Sequence, residues 1–280
     1  MVSVIICFYE RSKHLFRCLD SLEFNKDYFD EVVISDDGST KETRSLVDSK
    51  LSQYSYPIKY TYRESSQFEL AAARNNGIRA SSGDYLIIFD CDFLCMPDTI
   101  ATHIRLRKKG RFVSGRCKYL PENLTKSLFA EDTLSESFLE ELYQFEDDKE
   151  LKKIDFRCHR RNILTKLGFY SARKHVIGSH LSLFREDALR INGYDESFIG
   201  WGGEDNDFGH RLVQSGLYCI PANTRARILH MWHPKEIGEK KWEDGPNAHR
   251  FTNRKKIKAF CENGILNSSV KGKRANFNLN

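Results

Sequence analysis

Two aspartates one residue apart, Asp90 and Asp92, close the apolar run in DYLIIFDCD. In extended chain, positions i and i+2 point to one side, so both carboxylates would face a common point. Oxygen ligands that leave coordination places for water and phosphate suit Mg2+ or Mn2+. A lone DxD is more often an Asp-rich turn. Here the preceding apolar run, and the polar pairs Tyr9-Glu10 and Asp36-Asp37 that follow other such runs, favour a metal. HMWHP adds His230 and His233, and an imidazole ligand favours Mn2+ over Mg2+. His233 is the stronger candidate, and only in combination with the DxD; His230 ranks below it.

A second candidate centre is GWGGED, residues 200–205. Glycines 200, 202 and 203 suit a tight turn, and Glu204 and Asp205 fall where N-cap and first-turn acids belong. Capping accounts for one carboxylate. It does not account for Trp201 among glycines, which suits the C–H face of a sugar with carboxylates beside it for hydroxyls. A carboxylate next to helix N–H groups is expected to stay ionised at neutral pH. Placed about 2.6 to 3.2 Å from an alcohol, it can take the proton as that oxygen attacks. Asp36 and Asp37 in SDDGS suit a base N–H or a ribose hydroxyl, although the same residues form turns. Arg74, on a helix of small residues in AAARNNG, suits a diphosphate.

Positioning these groups requires alternating strands and helices. VSVIICF reads as a strand, SKHLFRCLDSLEF as a helix with Leu15, Leu19 and Leu22 on one face and Ser12 as N-cap, and EVVIS as a strand. IKYTYRE suggests a third strand, SQFELAAARNNGIRASSG a helix closed by glycine, and DYLIIFDCD a further strand. The alternation predicts an α/β fold, a mostly parallel sheet covered by helices on both faces, with ligands at the carboxyl ends of the strands. Neither GxGxxG nor GxxxxGK[ST] occurs, so a nucleotide must be held without those phosphate cradles. KHVIGSHLSLFR alternates like a strand, and EDALRINGYDE reads as a short helix ending at Gly193. The expected organisation is a donor-binding part at 1–118, an insertion or mobile helical segment at 119–170 with FLEELYQF its clearest helix, an acceptor-binding and catalytic part at 171–235, and a basic tail at 236–280.

With 280 residues, 40% of them apolar, the chain can bury a core for one large domain or two packed ones. Eight cysteines without a CxxC pair suggest reduced thiols. Seven Lys/Arg against Glu262 make residues 251–280 +6, while the remainder of the +5 chain sums to −1. That segment suits weak attraction to anionic lipid or a polyanionic acceptor. Residues 131–150 carry nine acids and one lysine, which reads as solvated surface. The first residues lack the basic region and cleavage site of a signal peptide, and no run approaches the roughly 18 apolar residues of a membrane span. A cytoplasmic protein is expected, in contact with the inner membrane face at most, with no nucleic-acid partner.

Taken in order, VSVIICFYER, VVISDDGST, AAARNNGIRASSGDYLIIFDCD, INGYDESFIGWGGEDNDFGHRL and HMWHP resemble a GT-A glycosyltransferase of the family 2 type. The C-terminal half is similar to the galactosyltransferase/chondroitin-synthase-like acceptor domain, and the resemblance covers most of residues 1–235. It implies a Rossmann-like GT-A sheet with a smaller acceptor-binding part, a nucleotide-sugar donor that is usually UDP-linked, a Mn2+ or Mg2+ ion on the DxD, and inversion at the anomeric carbon. On this chain it implies nucleoside contact by Asp37, with Asp36 beside it, and donor contact by Arg74, with Tyr9 and Glu10 also on the donor side. Asp90 would lie near ribose and metal, Asp92 would bind the metal directly, and His233 matches the family's histidine ligand. Trp201, Gly202 and Glu204 match donor and acceptor sugar contacts, and Asp205 matches the base. Galactosyltransferases with WGGED often continue with further aspartates; Asn206 here precedes Asp207, which chondroitin-synthase-like members tolerate. The expectation is a metal-dependent inverting transfer of galactose or N-acetylgalactosamine from a UDP-sugar to a saccharide acceptor, lipid-linked acceptors included. Two rivals are a nucleotidyltransferase or sugar-nucleotide hydrolase using the same DxD, and a carbohydrate-binding module in which Trp201 and the carboxylates only bind.

Overall fold

The structure, a computed structural model, describes residues 1–65, 69–170, 173–176, 180–200, 202–234, 245, 247–251, 257–267 and 274–277. Strands β1 (Val2–Phe8), β2 (Glu31–Asp36), β3 (Ile58–Arg63) and β4 (Tyr85–Asp90) run parallel in the spatial order β3-β2-β1-β4. Every residue of β1 and β2 is buried, which is why their sequences are apolar without alternation. Val4 and Ile6 face one core with Leu15 and Leu19 of α1 (Ser12–Leu22) and Val47 of α2 (Lys41–Leu51). Ile5 and Val33 face the other, with Ala71 and Ile78 of α3 (Leu70–Ala80). The expected covering of both faces is thus present.

Local details differ from the sequence reading. Ser12 is the first helical residue of α1 and the N-cap is Arg11, with no side-chain capping bond. Helix α3 ends at Ala80 with Ser81 as its C-cap, short of the Gly83 expected to close it, and Gly77 lies inside it, where a Cβ would stand 2.4 Å from Ile5 Cγ2. That close approach of α3 to β1 buries Arg74.

Beyond β4 the pattern changes. After β5 (Phe93–Cys95), α4 (Thr99–Leu106), β6 (Arg111–Gly115) and β7 (Lys118–Tyr119), the chain forms α5 (Glu122–Ala130), α6 (Glu136–Tyr143) and α7 (Lys149–Lys166). The stretch expected as an insertion or mobile helical segment holds three helices, the middle one covering most of FLEELYQF. Leu128, Leu139 and Leu142 from α5 and α6 share a core with Leu94, Leu229 and Met231. Short apolar runs hid α5 and α7 as separate helices, because each buries only two or three side chains. Strand β8 (His180–Phe184) pairs antiparallel with β4 and β6, and β9 (Tyr218–Pro221) parallel with β6, so the C-terminal half extends the same sheet. Helix α8 (Arg185–Arg190) follows β8, and α9 (Glu204–Gln214) precedes β9. β10 (Ile228–His230) joins β5 and β7 in a small second sheet, and β11 (Arg274–Phe277), unforeseen in the tail, pairs antiparallel with β3. All eight cysteines are buried, and none forms a disulfide. Among the described residues no helix is long and apolar enough to cross a membrane.

A buried histidine pair ties α4 to β8. His103 Nε2 and His180 Nδ1 are 3.1 Å apart, and His103 Nδ1 lies 2.7 Å from Ser182 Oγ. Burial lowers both, His103 with a further push from His180, and His180 falls to about 4 although the Arg116 backbone favours its protonated form. Their folded-state values lie below the unfolded ones, so the unfolded chain binds more protons between pH 6.5 and 4. Stability therefore rises with pH through that window and is lost as pH falls through it, by roughly 3 kcal/mol for His180 alone. Urea unfolding at pH 7 and pH 4.5 checks this: His180→Gln is expected to flatten the drop, and an equal drop in that variant contradicts it.

Candidate active site

At the end of β4 the chain turns through Cys91 and Asp92 instead of continuing extended, so Asp90 and Asp92 take different partners. Asp92 meets His233 Nε2 at 3.2 Å, His230 Nε2 at 3.6 Å and Arg11 Nη1 at 3.1 Å. One ligand atom each from Asp92, His230 and His233 lies within 4.8 Å of the others. The antiparallel register of β10 on β5, His230 opposite Phe93, brings the histidines there. His233 Nδ1 lies 3.0 Å from the Pro234 carbonyl, which leaves Nε2 as the lone-pair nitrogen when Nδ1 carries the proton. Burial alone would raise the Asp92 carboxyl; His230, His233 and Arg11 reverse this and hold it at about 2. Its Oδ1 is buried with no hydrogen-bond partner, a defect that a cation would cure. These residues could hold one divalent ion, and two imidazoles beside a carboxylate favour a transition ion. Asp90 is not in the group.

Asp90 instead belongs to a fork around Arg74. Arg74 Nη2 donates to Asp90 Oδ1 at 3.1 Å, and Nη1 donates to Glu204 Oε1 at 3.0 Å and Asp205 Oδ1 at 2.6 Å. Arg74 is 3% exposed, so its guanidinium is committed to three carboxylates and presents no open face to a diphosphate. A buried cation needs such partners, and Ala71–Ala73 leave no side-chain bulk to hold it out in water. Helix α9 begins at Gly203, whose φ of +97° is left-handed, and no side chain caps it. Glu204 and Asp205 therefore turn toward Arg74, not onto the helix end. Asp205 keeps 24% of its side-chain surface exposed. Withdrawal from water pushes its carboxyl well above the usual carboxylate range, against Arg74 and with Glu204 and Asp90 adding to the rise. The helix N–H groups expected to favour its ionised form are thus opposed by desolvation and by like charges. Asp207 pairs with Arg211 at 2.6 Å inside the core and faces away from any ligand. Gly202 O accepts from Asn247 Nδ2 at 3.0 Å. Trp201 lies outside the described residues.

On the other side of β1, Asp37 binds Arg63 and accepts from the Glu69 N–H at 2.9 Å. Burial raises its carboxyl to about 6, with Arg63 opposing. Asp36 has no exposed surface; it accepts from Tyr60 and from the Ser39 N–H at 2.9 Å, so it holds the turn and offers no face to a ligand. Glu10, with φ of +56°, binds Thr43 Oγ1 at 2.6 Å and the Thr40 N–H, fixing the start of α2. Tyr9 is 42% exposed at the strand end. Sequence reasoning missed Arg11, Arg63 and Glu69. Arg63 closes β3 and Arg11 follows Glu10, so the rule that polar residues after buried strands form the site would have found both.

A parallel β3-β2-β1-β4 sheet carrying acids at its carboxyl ends, continued by an antiparallel strand, is the GT-A fold. The chain superposes on the crystal structure of GalNAc-T7 with UDP, GalNAc and Mn2+ at a TM-score of 0.58 and 16% identity, covering 86% of this chain and 44% of that one. Residues 3–171 match glycosyl transferase family 2, and residues 158–234 match the N-terminal domain of galactosyltransferase. The chain belongs to glycosyl transferase family 2. It is 28% identical to chondroitin synthase of Escherichia coli, over 78% of this chain and 33% of that protein. It is 31% identical to validoxylamine A glucosyltransferase of Streptomyces hygroscopicus subsp. jinggangensis, over 78% of this chain and 52% of that protein. The chain thus spans a third to about half of the length of these relatives.

Proposed function

We propose that the chain is a metal-dependent inverting glycosyltransferase that moves a hexose, galactose or N-acetylgalactosamine first among them, from a UDP-sugar to a saccharide acceptor. The observation that carries this is the meeting of two centres at the same strand ends: Asp92 with His230 and His233, and Asp205 with Glu204 and Asp90 on Arg74. The names of its relatives support transfer of a sugar, and the UDP, GalNAc and Mn2+ of the superposed structure support the choice of donor and ion.

In this reading Asp37, steadied by Arg63, receives the nucleoside, with Tyr9 at the rim. Asp92, His230 and His233 hold the Mn2+ or Mg2+, with Asp90 beside them. Held there, such an ion would supply positive charge against that growing on the departing diphosphate. Trp201, Gly202 and Glu204 contact the sugars. Asp205 takes the proton of the acceptor hydroxyl as its oxygen bonds to the anomeric carbon from the face opposite UDP, and the bond to the diphosphate oxygen breaks. Arg74 positions Asp205 and acts on the donor only through the carboxylates it holds. A cytoplasmic location and contact of the basic 251–280 segment with anionic lipid rest on composition alone.

UDP release from UDP-galactose, UDP-N-acetylgalactosamine and UDP-glucose with Mn2+, with and without saccharides, tests this. Release that is equally fast without acceptor indicates a hydrolase, and sugar binding that survives chelation without UDP release indicates a binding module. Asp92→Ala is expected to weaken Mn2+-dependent UDP binding by at least about tenfold, since even outer-shell partners are worth that much. An unchanged Mn2+ titration in the variant counts against the metal centre.

A further inference from the structure

Helix α7 carries an apolar stripe on its solvent side that the transferase reading does not use. Phe156 is 64% exposed, Ile163 59% and Leu167 64%, and Phe169 in the following turn is 73% exposed. At 100° per residue Phe156, Ile163 and Leu167 fall within about 40° of one another around the helix. Exposed cations flank the stripe on both sides: Lys152 and Lys166 on one, Arg157 and Arg160 on the other. The Arg160 guanidinium lies 6.0 Å from the Phe156 ring centre, and Arg161 packs 3.6 Å over Tyr170. The sole acid between 151 and 170 is Asp155, turned inward onto Asn223 and Thr224. Lys153 pairs with Glu150 at the helix start. The opposite face is fastened to the body through Leu151, Cys158 and Asn162, the last donating to Cys219 O at 3.0 Å.

We propose that this face of α7 docks on an anionic lipid surface, with Phe156, Ile163, Leu167 and Phe169 entering the headgroup boundary and the flanking cations meeting lipid phosphates. An apolar centre with lysines and arginines along both margins is the arrangement of a helix lying in the membrane plane. Symmetric pairing with a second copy would set these cations against their own equivalents. A buried helix has no use for them. The charge on this face therefore calls for an anionic partner, and the apolar stripe calls for one with a hydrocarbon phase.

Co-sedimentation of the full chain with vesicles tests this. Pelleting is expected with phosphatidylcholine/phosphatidylglycerol vesicles, falling as salt rises, and not with phosphatidylcholine alone. Arg157→Gln with Arg160→Gln is expected to weaken partitioning about 30-fold, at the usual gain per cation near an anionic surface. Phe156→Ser, Ile163→Ser and Leu167→Ser together are expected to weaken it about tenfold or more. All five side chains are exposed, so the far-UV spectrum and UDP release with a water-soluble acceptor should be unchanged. The proposal is overturned if the triple variant binds like the native chain, or if Lys271→Gln with Lys273→Gln alone abolishes binding. It is also overturned if native chain fails to pellet while sedimentation velocity shows a self-association that the triple substitution removes.

Discussion

Asp205→Asn is expected to lower the turnover of acceptor-dependent transfer by about 10²- to 10⁴-fold, the usual worth of a general base, while UDP binding is expected to stay within a fewfold of native. The amide keeps the shape of the side chain and one oxygen for Arg74 Nη1, and Arg74 retains Asp90 and Glu204, so the fork persists. What disappears is the proton acceptor. Its environment makes Asp205 the fitting candidate: it is the more exposed of the two acids opening α9, and burial with neighbouring charge raises its affinity for a proton above that of an ordinary carboxylate. A Glu204→Gln control separates base from sugar contact, since it is expected to act mainly on KM. Steady-state transfer alongside isothermal titration with UDP reads both quantities. Retained turnover in Asp205→Asn would remove this residue from the base role.

Arg74→Met is the substitution with the largest expected effect on stability. Removing one partner from a buried ionic cluster costs about 3 to 5 kcal/mol, and here it leaves Asp90, Glu204 and Asp205 facing one another without a cation. For a chain of this size that is expected to lower Tm by roughly 10 °C, and transfer is expected to fail with the proposed base out of position. Arg74→Met combined with Asp205→Asn is expected to recover part of the loss, because one anion fewer is stranded. A single variant melting with the native chain would show that the carboxylates are not held as described.

The acids at strand ends were readable because buried parallel strands are apolar throughout, so a polar residue stands out where the run stops. Asp37, Asp90 and Asp92 surfaced that way, together with the α/β alternation of residues 1–92, while His233 was found beside the DxD and GWGGED by its glycines and carboxylates. Helices α5 and α7 did not stand out individually, because each buries only two or three side chains. The partners of Arg74 were equally hidden: Glu204 lies 130 positions along the chain, and only the pressing of α3 onto β1 at Gly77 brings the guanidinium under α9.

By itself the sequence determined the class of fold, the donor atoms available and the family resemblance, since these depend on residue type and local spacing. Tertiary structure decided which acid serves which cation. It sent Asp92 to the histidines and Asp90 to Arg74 by a turn at the end of β4, locked Asp36 out of reach, and raised Asp205 through burial. Desolvation and long-range charge depend on what packs from distant parts of the chain, and no local pattern of residues encodes that.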